Sequence, residues 1–266
     1  MILVAARRAF LVSILVFMTA PVVVIAGVSL NAKKALSFPP QGLGIGWYEA
    51  LVLDKEWFHA LLSSVTIAFL AAVLSVSIAF PIAWFLWRHR APWARIVMLL
   101  GIAPFILPPV ITALGFLAFW TTIGLYGAPW TVVISHGIFF VTLPLVTITL
   151  GFASIDPYVP EAAAMMGADD RTIMRTVVLP LVSPYAVSGF AFAFVLSLNE
   201  YLVAYMTVGF TVETLPIKIF NSLRYGYTPV MASASIFFVI VAAVIFGLVA
   251  RFGDLPKLLG AWSRES

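Results

Sequence analysis

EAAAMMGADDRTIMRTVVLP, residues 161–180, carries five charges, Glu161, Asp169, Asp170, Arg171 and Arg175, in a chain of 266 residues of which only 10% are charged and 63% are hydrophobic. Ordinary soluble domains are about 45–50% apolar. The quoted stretch therefore reads as a polar loop between membrane crossings, and the crossings decide the fold. A helix needs about 20 apolar residues to span the hydrocarbon core, where only helices and closed barrels satisfy their backbone. Apolar runs near 9–30, 60–87, 96–120, 130–152, 181–207 and 230–250 are long enough, and their lack of strand-like alternation excludes a barrel. The expectation is one all-α integral-membrane domain over residues 1–266, with six transmembrane helices and the loop 153–180 between spans four and five. Pro81 is a candidate bend in the second span.

The loop has the grammar of ordered structure. Asp156-Pro157 offers an N-cap followed by a first-turn proline, and EAAAMM favours helix. Gly167 suits the left-handed residue that ends a helix. Asp169 then caps a second short helix carrying Ile173, Met174, Val177 and Val178, with Pro180 as its stop. Two short helices bent at a glycine make a stiff protrusion suited to docking, although the same residues also suit a solvated loop packed on its own membrane domain.

Orientation follows from the basic residues. With the N-terminus inside, Arg7, Arg8, Arg88, Arg90, Arg95, Arg171, Arg175, Arg251, Lys257 and Arg264 lie on the inner side, and Lys33, Lys34, Lys55, Lys218 and Arg224 on the outer side. The excess of basic residues inside puts both termini and the 153–180 loop in the cytoplasm. The net charge of +4 is spent on these flanks and forms no stripe for nucleic acid. Arg7-Arg8 superficially resembles a twin-arginine signal, but the apolar run after it exceeds an h-region of about 7–15 residues, so an uncleaved first helix is expected. The chain has no cysteine, which removes disulfides, thiolate catalysis and Cys-ligated metal. His59, His89 and His136 are too scattered for a local metal motif, and His136 reads as a helix-end histidine at the start of span four. Trp47, Trp57, Trp84, Trp87, Trp93, Trp120 and Trp130 fall mostly near span ends, as an interfacial belt does.

The spacing Glu161-Ala162-Ala163, three residues, Gly167, nine residues, Val177, one residue, Leu179-Pro180 closely resembles the EAA motif of binding-protein-dependent ABC importer permeases, EAA-x3-G-x9-I-x-LP, with Val177 in the isoleucine position. The resemblance implies the MetI-like, type I importer fold. It also implies that this loop is a coupling helix seated in a cleft of a separate ATPase subunit. Glu161, Ala162, Ala163 and Gly167 carry over by match, and Asp169, Asp170, Arg171 and Arg175 are the charged contacts expected around the hinge. The chain lacks the phosphate-binding loop G-x-x-x-x-G-K-[ST], so no cofactor is expected in it. ATP and Mg would be bound by two ATP-binding cassette subunits, beside a second homologous permease and an extracytoplasmic solute-binding protein in the bacterial inner membrane.

Residues 196–229 resemble the PotC-like spermidine/putrescine permease subgroup through Val208, Gly209, Glu213, Leu215, Pro216, Lys218 and Ile219. Asn199-Glu200 stands where that subgroup commonly has two aspartates, which weakens a polyamine cargo; an opine, an amino-acid derivative or a phosphonate is the alternative. Asn199, Glu200, Tyr201 and Tyr205 are the candidate substrate-pathway residues of span five, the tyrosine rings being able to face an ammonium. The competing reading puts Glu200 at the water interface or pairs it with Lys218 or Arg224. In APFILPPV (103–110), Pro104 and Pro108 mark either a gate segment or a kinked helix. Residues 214–229 form a candidate amphipathic helix outside, where Glu49, Asp54, Glu56, Glu200 and Glu213 balance five basic residues. Docking of a binding protein there must then rest largely on shape. Two rivals remain: a transporter driven by an ion gradient, with Glu200 and His136 as coupling groups, and a membrane enzyme using the same two residues, for which no nucleophile motif is present.

Overall fold

The computed structural model describes residues 2–89 and 93–252. Arg90, Lys257 and Arg264, used above for orientation, lie outside the described residues, as does the side chain of Arg95. The chain begins with α1 (Ile2–Ser29), continues through a short α2 (Gly46–Leu53), and then enters α3 (Lys55–Arg88), which runs without a break through Pro81. α4 (Ala94–Ile106) and α5 (Pro109–Thr122) follow, then α6 (Pro129–Phe139) and α7 (Thr142–Ala153). The loop helices α8 (Tyr158–Met165) and α9 (Asp170–Ile173) lead into α10 (Leu179–Asn199). α11 (Leu202–Val208), α12 (Leu215–Tyr225) and α13 (Val230–Phe252) complete the described chain. Among the described residues four helices are long and apolar enough to cross a membrane, and six crossings result if each of two bent pairs is one span.

The centre is a packing of α3, α7 and α10, and small residues make it possible. On α3, Ala60, Ser64, Ala68, Ala71, Ala72, Ser75, Ala79 and Ala83 are buried at three- and four-residue steps, the pattern that lets helix backbones approach where lipid supplies no hydrophobic drive. The α1 helix stands apart: it touches mainly α13, and Phe10, Leu11, Leu15, Phe17 and Met18 are exposed.

Three expected spans differ from straight helices, each for a local reason. The third is bent by 103° between α4 and α5, far beyond a kink. Pro108 and Pro109 have no amide to donate, and the residue before a proline is driven to extended backbone; Leu107 adopts φ −68°, ψ 144°. The Pro104 carbonyl, deprived of the amide of residue 108, accepts instead from Thr112 Oγ1 at 3.4 Å. The fourth span is bent by 43° between α6 and α7. Pro144 lies in the first turn of α7 and would clash with the Phe140 carbonyl, which accepts from the Leu143 amide at 3.2 Å instead. The fifth ends at Asn199, eight residues before the expected end at 207, because Glu200 turns extended at φ −79°, ψ 123°.

The expected stop at Pro180 is also corrected. Helix runs from Asp170 to Asn199, passing through a π-helical segment at Met174–Val178 in which the Leu179 amide bonds to the Met174 carbonyl. The wider turn accommodates the missing amide and the ring of Pro180, as π-bulges inside helices do. The second loop helix is therefore the first part of span five. Trp57 and Trp120, counted in the expected interfacial belt, are buried inside the bundle instead, Trp120 donating to Ser135 Oγ at 2.8 Å.

Candidate functional site

The charged loop is built as a capped turn on the end of the bundle. Asp156 Oδ1 accepts from the Tyr158 amide at 3.0 Å and starts α8. Gly167 ends it at φ +90°, with the Gly167 amide on the Ala164 carbonyl at 2.9 Å and the Ala168 amide on Ala163 at 3.1 Å. Asp169 Oδ1 then accepts from the Thr172 amide at 2.9 Å, and hydrogen bonding at Thr172 holds the Asp169 carboxyl below the usual carboxylate range.

Packing divides the loop into an anchored and a presented face. Ala163 and Ile173 are buried in one cluster with Phe152, Val178, Ala79 and Ala83, so the loop is seated on the C-terminal ends of α3 and α7. Glu161, Ala162, Gly167, Asp169, Asp170, Arg171 and Arg175 face outward. Met165 and Met166 at the tip are 90% and 83% exposed. Arg88, at the end of α3, reaches Asp170 at 3.5 Å. Between them lies a cleft of about 490 Å³ lined by Trp84, Trp87, Arg88, Glu161, Arg171 and Arg175.

At the other end of α10, Asn199 and Tyr201 border a groove of about 600 Å³ whose wall includes Phe220, Leu223, Ser235 and Phe238. Tyr201 stacks on Tyr205 with centroids 5.4 Å apart and leans on Phe220 at 4.6 Å. α12 is the expected amphipathic helix, with Leu215, Ile217 and Lys218 buried. Glu200 pairs with neither Lys218 nor Arg224. Its Oε2 lies 3.1 Å from His136 Nε2, and the carboxylate accepts from the amides of Leu202, Val203 and Ala204. His136 is in the last turn of α6, well inside the fourth span, and is 1% exposed. Lys218 instead bonds Glu56 and Glu213.

The structure thus brings Asn199, Tyr201 and Tyr205 together, sets Glu200 behind them in a polar cluster, and leaves Pro104 and Pro108 at the separate α4–α5 bend. Phe220 and Ser197, on the groove and in the cluster respectively, were not singled out in the sequence. The signal for the cluster was present: ionisable groups within apolar spans seek one another, and Glu200 and His136 meet on that account. Among the described residues no group of three or more His, Asp or Glu is arranged to hold a metal ion.

An all-helical membrane domain with broken spans and a capped, charged loop is the architecture of a transport subunit. The chain belongs to the family of binding-protein-dependent transport system inner membrane components, whose profile matches residues 75–254; it is an ABC importer permease. It is 31% identical over 242 residues to the spermidine/putrescine transport system permease protein PotC of Haemophilus influenzae, covering 90% of this chain and 93% of that one. With PotC of Escherichia coli it shares 27% identity over 248 residues, 92% and 94% of the two chains. Among solved structures, a bacterial ABC transporter importing the acidic polysaccharide alginate superposes with a TM-score of 0.71 at 17% identity, covering 95% and 96%. The MetNI methionine ABC transporter superposes at 0.60 and 19%, covering 77% and 95%. These likenesses fix the fold.

Proposed function

We propose that this chain is the permease subunit of an ATP-driven polyamine importer in a bacterial inner membrane, with both termini in the cytoplasm. It pairs with a second, similar permease, two ATPase subunits that bind ATP and Mg, and an extracytoplasmic solute-binding protein. The observation that carries the reading is the loop at 158–175: its inner face is locked into the bundle by Ala163 and Ile173, while charges and two exposed methionines are turned outward. A solvated loop has no reason to present Met165 and Met166, whereas flexible thioethers fill the gaps of a partner's surface. Glu161, Ala162, Ala163, Gly167, Asp169, Asp170, Arg171 and Arg175 form the handle. Since Asp170 begins the helix that ends at Asn199, movement of the handle passes along one rigid element to the groove. That is the stiff connection two-state alternation requires.

The polyamine assignment is supported by the relatives' substrates and by Tyr201 and Phe220 on the groove wall, with Tyr205 stacked on Tyr201, since aromatic ring faces attract ammonium groups. Asn199 contributes a neutral amide to the groove mouth, and the bend at Pro104 and Pro108, set apart from that groove, is a second segment of the route.

The test is reconstitution of the full complex in liposomes with radiolabelled spermidine. Uptake should require ATP on the ATPase side and should ignore ionophores. Uptake abolished by ionophores and indifferent to ATP would reverse the reading in favour of an ion-gradient transporter. Docking is tested separately: the chain has no cysteine, so Met166→Cys gives a single site that should crosslink to the ATPase subunit.

A further inference from the structure

Glu200 has no acceptor position left for a cargo. Its Oε1 accepts from the amides of Leu202 at 2.8 Å and Val203 at 2.9 Å. Its Oε2 accepts from the amide of Ala204 at 3.0 Å and lies 3.1 Å from His136 Nε2. A carboxylate offers about four lone-pair sites, and all four are occupied within the chain. Its side chain is only 10% exposed. Because a carboxylate only accepts, His136 Nε2 carries the proton of that contact. His136 Nδ1 is 2.7 Å from Ser197 Oγ, on the last turn of α10. Three elements therefore meet in one buried cluster: α6 through His136, α10 through Ser197, and the start of α11 through Glu200.

We infer that Glu200, His136 and Ser197 are positioning residues that fix the break between α10 and α11, and that Glu200 does not meet the charge of the cargo. This rests on the reading of residues 199–205 as the route. The flanking residues, Asn199 and Tyr201, face the groove, and their placement depends on where the chain turns. Glu200 holds that turn against α6 from behind. If the α10–α11 break slips, Tyr201 loses its stack on Tyr205 and Phe220.

The chemistry makes a prediction that separates position from charge. In Glu200→Gln the amide oxygen keeps the bonds of Oε1, and its NH₂ turns toward His136, whose neutral ring adopts the other tautomer and donates from Nδ1 to Ser197 Oγ. Only the contact to the Ala204 amide is lost. In Glu200→Asp the charge stays but the reach shortens by roughly 1.5 Å, so the link to His136 breaks and a buried imidazole N–H is left without an acceptor. A positioning role predicts that Gln outperforms Asp; a charge acting on the cargo predicts the reverse.

The experiment compares wild type, Glu200→Gln and Glu200→Asp in the reconstituted complex, with spermidine as probe, and measures thermal melting of each complex without cargo. Expected are uptake within about threefold of wild type for Gln at unchanged KM, a fall of about tenfold in kcat for Asp, and a melting point lowered more for Asp than for Gln, which loses only the Ala204 contact. Retained uptake in Asp with KM raised tenfold or more in Gln overturns the inference, and so do identical cargo-free melting points in all three. If wild type takes up no spermidine, the polyamine reading fails on its own and the melting order still decides this one.

Discussion

Lys218 Nζ and Glu213 Oε2 lie 3.0 Å apart, with Glu56 Oε2 at the same distance on the other side. The contact ties α12 to the first turn of α3, assisted by the Leu215 amide on Ser64 Oγ at 2.7 Å and by the Trp57 ring 5.5 Å from the ammonium. The partners are unequally placed: Lys218 is nearly buried, whereas Glu56 is well exposed. Losing the lysine lets both carboxylates hydrate, so Lys218→Met should cost about 1 kcal/mol or less. Replacing both carboxylates leaves the part-buried ammonium with only neutral acceptors, so Glu56→Gln with Glu213→Gln should cost more, about 1–3 kcal/mol. Thermal melting in detergent checks the order. Burial alone would lower the Lys218 pKa, but the two carboxylates outweigh it and hold it above the ordinary 10.5. The stabilisation is therefore complete below about pH 10.5 and is lost as pH rises through the higher folded value.

Gly189 on α10 packs directly on α7. A Cβ there would fall 2.6 Å from Pro144 Cα and 2.5 Å from Thr147 Oγ1, and backbone does not give way as a flexible side chain does. Gly189→Ala should force α7 and α10 apart and lower stability by about 1–3 kcal/mol. Gly247, inside the last third of α13, meets nothing within 4 Å, so Gly247→Ala should instead gain up to about 1 kcal/mol of helix propensity. Parallel melting curves distinguish packing from propensity at these two glycines.

What was legible in the sequence was local. Asp156, Gly167 and Asp169 signal their caps by residue type and spacing, and the structure has all three. The breaks were harder because a proline lowers the cost of a bend without fixing its angle. Pro81 leaves α3 unbroken, Pro144 gives 43° and Pro108-Pro109 give 103°. The outcome depends on whether another donor, such as Thr112, reaches the freed carbonyl. Pro180 does not stop its helix for a related reason, since a π-turn lets the helix continue through it. The Glu200–His136 contact spans 64 positions, and nothing in the spacing of either residue encodes its partner. Asn199, Tyr201 and Tyr205 share a short segment, but the groove also needs α12 and α13, which only the tertiary packing brings to them.

The α4–α5 bend is testable as chemistry. Pro108→Ala with Pro109→Ala restores two amides and frees Leu107 from the pre-proline restriction, so the Pro104 carbonyl can again take its helical partner. The segment should straighten. With single cysteines replacing exposed Leu100 and Leu114, the two backbones would be about 21 Å apart on a straight helix. Spin-label distances should lengthen toward that value in the double alanine variant and stay shorter in its absence, and spermidine uptake should fall if the bend is part of the proposed route. An unchanged distance would show that packing, rather than the prolines, sets the angle.

Gly167 links the exposed tip of α8 to the helix that carries on to Asn199. At φ +90° with open space around its Cβ position, the obstacle to other residues is backbone conformation alone. Left-handed backbone costs an ordinary L-residue roughly 1–2 kcal/mol and asparagine less. Gly167→Asn should therefore keep ATP-driven uptake near wild type, and Gly167→Ala should reduce it modestly. Gly167→Pro is different in kind: its ring fixes φ near −65°, and it removes the amide that bonds Ala164 at 2.9 Å. The handle would then leave the helix at another angle while the membrane helices, which pack elsewhere, still insert. Uptake should be lost, with residual ATP hydrolysis no longer raised by loaded binding protein. Measuring uptake per ATP hydrolysed in the three variants checks this, and a normal ratio in Gly167→Pro would mean that the angle at this turn does not transmit force.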